Sequence, residues 1–227
     1  MISKSACCVL IPAYNEEKNI ERVVRAVRER GYPVLVIDDG STDGSKSIIA
    51  SLGVHAILSP VNEGKGASLR KGLQWFLGER SYQAVILMDG DGQHSPDELD
   101  AFWNALNEGA DVVVGNRLWK PHGMPPVRLA TNRIMSWLLS RAAGQRIPDT
   151  QCGYRALTRR AAAGLSLGTD RFETESEILL DAASSGLKVH SIPVSSLYRD
   201  EVSHIRPLRD TVRFFRFLLQ YRPSRKT

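Results

Sequence analysis

Ala84-Val85-Ile86-Leu87-Met88-Asp89-Gly90-Asp91-Gly92-Gln93-His94-Ser95-Pro96-Asp97-Glu98 is the stretch whose reading decides the fold. Its first five residues are apolar, a length that suits a buried strand. Asp89 and Asp91 follow at once, with Gly90 between them. Then comes a helix start: Ser95 as N-cap, Pro96 at the first helical position, and Glu98 placed to close a capping box. Carboxylates at the carboxyl end of a buried strand lie where open α/β sheets bind ligands. An i, i+2 pair can point to one side of the chain. Paired carboxylates are hard oxygen ligands for Mg²⁺ or Mn²⁺, with Gln93 able to add a carbonyl oxygen and His94 a nitrogen. Read alone, Asp-Gly-Asp-Gly is equally a plain turn. It is not an EF-hand loop, because the required later glutamate and the preceding helix are missing.

Upstream of this stretch, strands and helices alternate. Cys7 to Ile11 is a short apolar strand closed by Pro12. Ile20, Val23, Val24 and Val27 then recur at helical spacing, and Gly31 ends that helix. Val34 to Ile37 is a second strand, ending in Asp38-Asp39-Gly40-Ser41-Thr42-Asp43. Acids at this tip fit a dinucleotide fold, but the first turn lacks Gly-x-Gly-x-x-Gly. A helix from Ser45 to Leu52 and a strand from Val54 to Leu58 follow. Asn62-Glu63-Gly64-Lys65-Gly66 opens the next helix, either as a phosphate-holding turn or as a flexible loop.

Downstream, Asp111 to Val114 leads into Gly115-Asn116-Arg117. The proline-rich segment from Leu118 to Val127 reads as a mobile loop over the site. Leu129 to Ala143 reads as a helix, and Pro148 to Ala156 as a polar-to-apolar crossing. Phe172-Glu173-Thr174-Glu175 begins another helix, and Lys188 to Val194 is a last strand. The alternation predicts one α/β domain over 1–227, a mostly parallel sheet with helices on both faces. Residues 207–221 read as a basic, amphipathic C-terminal helix. It either docks on the core or lies on anionic lipid.

Composition agrees. A chain of 227 residues with 42% apolar and 24% charged residues is long enough for one sizeable domain. The net charge of +5 suits an anionic ligand or membrane surface. No nucleic-acid-binding signature is present. Cys7, Cys8 and Cys152 lack metal spacing and read as reduced thiols, which points to the cytoplasm. No secretory signal and no membrane-spanning run is found.

Together these residues resemble the family 2 inverting glycosyltransferases of the GT-A fold, and among them the polyprenyl- or dolichol-phosphate mannosyl- and glucosyltransferases. The resemblance rests on Ile11-Pro12-Ala13-Tyr14-Asn15-Glu16, Asp38 to Asp43, Asn62 to Gly66, Asp89 to His94 and Gly115-Asn116-Arg117, in that order. It implies a metal-dependent transfer of sugar from a UDP- or GDP-linked donor. Pro12, Tyr14 and Glu16 would line the nucleoside pocket, Ile37 and Asp39 would meet the base edge, and Asp38 would order that loop. Lys65 would approach base or phosphates. Asp89, Asp91 and Gln93 would hold Mn²⁺ or Mg²⁺ on the diphosphate, with Gly90 letting the donor approach. For a polyprenyl phosphate acceptor, Arg117, Arg155 and Arg199 would surround the phosphate. For a hydroxyl of a glycan, glycolipid or small molecule, Glu175 or Glu173 would serve as base. The expected place of action is the cytoplasm, or the cytoplasmic membrane face for a lipid acceptor. A nucleotidyltransferase would need a glycine-rich basic loop after the first strand, which is absent.

Overall fold

The computed structural model describes residues 1–121, 123–169, 173–195, 214, 216–218 and 221. Among the described residues seven strands, β1 Cys7–Ala13, β2 Val34–Asp38, β3 His55–Leu58, β4 Ala84–Leu87, β5 Val112–Asn116, β6 Arg155–Thr158 and β7 Val189–Pro193, form one sheet in the order β3-β2-β1-β4-β6-β5-β7. The helices are α1 Ile20–Glu29, α2 Ser45–Ser51, α3 Lys65–Gly78, α4 Leu99–Asn107, α5 Pro126–Ala143, α6 Arg159–Gly164 and α7 Glu173–Ser184. The central strands are apolar throughout because both faces are covered. Cys7 to Ile11 and Ala84 to Met88 are essentially inaccessible. Full burial of a side chain such as Leu10 stabilises by about 2 kcal/mol. The Cys7, Cys8 and Cys152 thiols are free and buried, and that burial pushes each up to about 12.

The pairings β1–β2, β2–β3, β1–β4 and β5–β7 are parallel. Register sets Leu10 beside Leu87 and Ala13 beside Asp38, so the tips of β1, β2 and β4 share one edge. The chain reverses its lateral direction between β1 and β4, which is where open sheets form a ligand crevice. Asp89 lies just past β4 at that point.

Strict alternation fails at β6. This strand runs antiparallel to both β4 and β5, with Arg155 opposite Leu87 and Val114. It lies in the region that reads as a crossing, because a strand of four residues beginning with arginine has no periodic signal. Its direction matters, since its first residue starts at the carboxyl edge of β4.

Several local signals hold. Ser95 Oγ accepts from Asp97 N–H at 3.3 Å, with Pro96 next. Gly31 follows α1 with φ of 82°. α5 starts at Pro126, ahead of the expected Leu129, with proline in its first turn. Glu98 does not close a capping box. Its Oε1 instead accepts from Ser195 N–H and Oγ–H, at 2.6 and 2.8 Å. Most of the 207–221 segment lies outside the described residues. Of those described, Phe214 is buried, Phe217 and Leu218 pack against the core, and the Tyr221 hydroxyl donates to Asp181 at 2.8 Å. These residues are docked on the core.

Candidate active site

Three side chains from distant parts of the chain converge at the crevice. The Lys65 ammonium lies 2.7 Å from Asp89 Oδ1 and 2.6 Å from Glu175 Oε1. Lys65 is the first residue of α3, Asp89 follows β4, and Glu175 lies in the first turn of α7. Their side chains are only 22%, 24% and 12% exposed. Burial alone would lower the Lys65 pKa, but the attraction of Asp89 and Glu175 outweighs it and holds lysine above its usual value. Burial likewise opposes ionisation of Asp89, yet Lys65 and then His94 hold that carboxyl below the usual range.

The Asp89 loop is braced from beneath. His94 Nδ1 accepts from Asp89 N–H at 3.3 Å, and its ring stacks on Tyr154 with centroids 4.8 Å apart. Burial pushes the imidazole down to about 4 against the pull of Asp89, so it is neutral at pH 7. Gln93 N–H donates to Asp91 Oδ1 at 2.9 Å, keeping the second carboxylate in its turn. The missing Cβ of Gly90 faces β1, where an added carbon would lie 3.2 Å from Pro12 O. Packing against β1 thus constrains this position.

The tip of β2 supports the loop carrying Lys65. Asp39 accepts from Glu63 N–H at 3.0 Å and Gly64 N–H at 2.8 Å. A Cβ on Gly40, whose φ is +75°, would collide with the Val61 backbone, so the two loops touch. Asp38 Oδ2 accepts from Ser41 N–H at 3.1 Å, the loop-ordering role expected of it. The Tyr14 to Glu16 turn is tied to the same loop: Asn15 N–H donates to Ser41 Oγ at 2.9 Å and Glu16 N–H to Ser45 Oγ at 2.8 Å. Tyr14 stays 43% exposed, and Pro12 is partly exposed near the end of β1. Ile37 is different. It is fully buried, and its Cδ1 faces Gly72 on α3. Its side chain belongs to the core and cannot meet a base edge.

The expected acceptor arginines also separate. Arg117 forms a two-pronged pair with the buried Asp149, with Nε to Oδ2 at 2.9 Å and Nη2 to Oδ1 at 3.1 Å. It stays close enough to Asp89 to lower that carboxyl's pKa. Arg155 is fully buried and donates to the backbone carbonyls of Cys152 and Thr150 at 2.8 and 2.9 Å, and to that of Glu175. It is a brace between β6 and α7, not a phosphate ligand, because no part of its fork reaches the surface. Arg199 lies outside the described residues.

Gly153 joins the site without having been singled out. A Cβ there would lie 2.9 Å from Glu175 Oε1, 3.0 Å from Asp89 Oδ2 and 3.1 Å from Lys65 Nζ. Its signal was a glycine two residues before an arginine, which has no meaning until β6 is placed. Asp149, the partner of Arg117, was missed for the same reason.

Among the described residues no three Asp, Glu, His or Cys side chains stand together as a ready metal-binding group, although carboxylate oxygens are the donors that suit a hard divalent cation. Asp89 and Glu175 already converge on one positive charge, the Lys65 ammonium, and Asp91 stands two residues away. Asp89 and Asp91 could hold Mg²⁺ or Mn²⁺, with Gln93 alongside.

The family model for glycosyl transferase family 2 matches residues 8–165, which includes every element of this cluster except α7. The chain belongs to glycosyl transferase family 2. This glycosyltransferase is 32% identical over 215 residues to glycosyltransferase AglJ of Haloferax volcanii, covering 92% of this chain and 70% of the relative. It is 30% identical over 216 residues to the UDP-N-acetylglucosamine–dolichyl-phosphate N-acetylglucosaminyltransferase of Methanococcus voltae, covering 85% and 86%. It is also 30% identical over 207 residues to the polyprenol monophosphomannose synthase of Mycolicibacterium smegmatis, covering 85% and 77%. Its fold matches glucosyl-3-phosphoglycerate synthase from Mycobacterium tuberculosis, with a TM-score of 0.71 and 20% identity over 95% of this chain and 77% of that one. The glycosyltransferase is therefore a nucleotide-sugar-dependent enzyme of the GT-A fold.

Proposed function

We propose that this glycosyltransferase moves a sugar from a UDP- or GDP-linked donor to a polyprenyl phosphate, with inversion and a divalent cation. The observation that carries the acceptor is the naming of relatives at about this similarity for dolichyl-phosphate and polyprenol-phosphate products. The solved structure of like fold was crystallised with Mn²⁺ and UDP.

In this reading Tyr14 packs its exposed ring on the base, Glu16 accepts from a ribose hydroxyl, and Asp39 accepts from a base N–H while it clamps the Lys65 loop. Asp89, Asp91 and Gln93 hold the cation, which when bound offsets the negative charge of the departing diphosphate. Lys65 turns from the carboxylates toward the phosphates. Arg117, aimed by Asp149, faces the acceptor phosphate, which is already ionised and needs positioning rather than a base. One in-line displacement turns an α-linked donor into a β-linked product. The enzyme would work at the cytoplasmic membrane face.

Glu175 favours a second reading, a hydroxyl acceptor for which this carboxylate is the general base. The test is a screen of UDP- and GDP-sugars with Mn²⁺ or Mg²⁺, with a short polyprenyl phosphate or with hydroxyl acceptors. A β-linked polyprenyl product that disappears with EDTA is expected. Efficient transfer to a hydroxyl and none to the lipid phosphate overturns the first reading in favour of the second.

A further inference from the structure

We propose that β3 pairs with β3 of a second copy of this chain, joining two sheets edge to edge about a twofold axis. Among the described residues β3 is the outermost strand on its side of the sheet. It pairs in parallel with β2, and Ser59 N–H continues that ladder by donating to Asp38 O at 2.9 Å. Backbone groups alternate sides along a parallel ladder. His55, Ile57 and Ser59 therefore face β2, while the N–H and C=O of Ala56 and Leu58 point away from it. Leu58 is 52% exposed, and Val61 just beyond the strand is 61% exposed.

Edge strands are ordinarily kept apart by charge, proline or cover. The other edge follows that rule, since β7 comes after Lys188 and ends at Pro193. The β3 edge does not. Residues 47–62 hold no Asp, Glu, Lys or Arg, in a chain of which 24% is charged. Glu63, the first charge after this run, is paired with Lys71 at 2.5 Å.

Symmetry then selects the occupant. Two β3 strands running antiparallel, with Ile57 on the axis, set Ala56 opposite Leu58 of the other copy. Each such pair exchanges two backbone hydrogen bonds, using only the outward groups, and a large side chain lies across from a small one. The same register brings Pro60 and Val61 to Val54 and Gly53 of the facing copy. There a cleft of about 380 Å³ opens at the amino end of β2 and β3, lined by Gly53, Val54 and His55 with Tyr32 and Tyr82. The exposed Val61 thus meets a hollow, and no like charges oppose each other along the run. An unrelated extended peptide would satisfy the backbone without this match.

The contact reaches the active site. A Cβ on Gly40 would collide with the Val61 backbone, and Asp39 holds the Glu63 and Gly64 N–H groups just before Lys65. A copy seated at Pro60 and Val61 therefore braces the loop that delivers Lys65.

Sedimentation velocity of the whole chain across concentrations reads the assembly, and a dimer that persists at high salt is expected. Ala56→Pro removes one outward N–H and spares the β2 ladder, while Leu58→Lys sets a charge at the edge. Each should raise the dimer dissociation constant at least about tenfold with unchanged circular dichroism. Residues facing each other between hydrogen-bonded pairs have Cα atoms about 4.5 Å apart, within disulfide reach, so Ile57→Cys should cross-link on mild oxidation. The native thiols are buried. Amide exchange at Glu63 and Gly64 should be slower in the dimer than in Ala56→Pro. Wild-type protein that stays monomeric at about 100 μM overturns the proposal. So does a dimer that Ala56→Pro and Leu58→Lys leave as tight, or one in which Ile57→Cys does not cross-link. Equal exchange at Glu63 and Gly64 in dimer and monomer overturns the bracing of the Lys65 loop.

Discussion

The Lys65 ammonium stands 2.7 Å from Asp89 Oδ1, so the first carboxylate of the Asp-Gly-Asp turn is neutralised by the residue that starts α3. The same ammonium holds Glu175, which makes lysine the cation of a two-carboxylate cluster.

Removing that cation should leave the carboxylates unbalanced. Lys65→Met is expected to lower stability by about 1–3 kcal/mol, less than a fully buried pair would lose because the groups are partly exposed. Mn²⁺ should then raise the melting temperature of the variant more than that of the wild type. Thermal scans with and without Mn²⁺ measure this. Equal metal stabilisation in both proteins would mean that lysine and metal do not share the cluster.

Arg155 should behave as a structural residue. Arg155→Met leaves buried carbonyls of Thr150, Cys152 and Glu175 without their donor, at a cost of about 2–4 kcal/mol. Urea unfolding measures it. A variant as stable as the wild type, with a raised KM for acceptor alone, would return Arg155 to the phosphate.

Gly153→Ala should act on catalysis rather than on folding. The new methyl enters among Glu175, Asp89 and Lys65, while Gly78→Ala meets nothing within 4 Å. Transfer by the first variant should fall about tenfold or more, since displaced reacting groups carry such penalties. The second should match the wild type. Unchanged kcat/KM in Gly153→Ala would show that the cluster tolerates a displacement.

Stability should fall on acidification. The folded His94 value of about 4 lies below the ordinary 6.5, so between these values the unfolded chain binds a proton that the folded chain does not. Stability contributed by the neutral imidazole is thus complete above pH 6.5 and lost progressively toward pH 4. The full change is about 3 kcal/mol. Asp89, also lowered, adds a loss further down as pH falls through its folded value. Urea midpoints of chelated protein across this range test the slope, and His94→Gln should flatten it. Parallel curves for wild type and variant would assign the slope elsewhere.

Much of this protein was settled by the sequence alone, because its signals are local. Five apolar residues before Asp89, the Ser95-Pro96 start and the spacing of Ile20 to Val27 each reflect a strand, a cap or a helix face within one short window. The order of these windows was enough for the parallel core and for an acidic crevice at the strand tips. Tertiary structure alone decided what depends on chain meeting chain. β6 runs antiparallel and carries Gly153 to Asp89, although four residues have no period to betray them. Arg155 turned inward, because the carbonyls it satisfies lie in its own preceding turn, at Thr150 and Cys152, and on α7, at Glu175. Ile37 went to the core, since period two decides faces but cannot say which face is wet near a strand end. On α5, Ser136 and Ser140 face inward beside the buried Leu139 to meet the Thr150 and Ile147 backbone. No pattern within the helix could reveal those inward serines, because the backbone groups they meet lie beyond the helix.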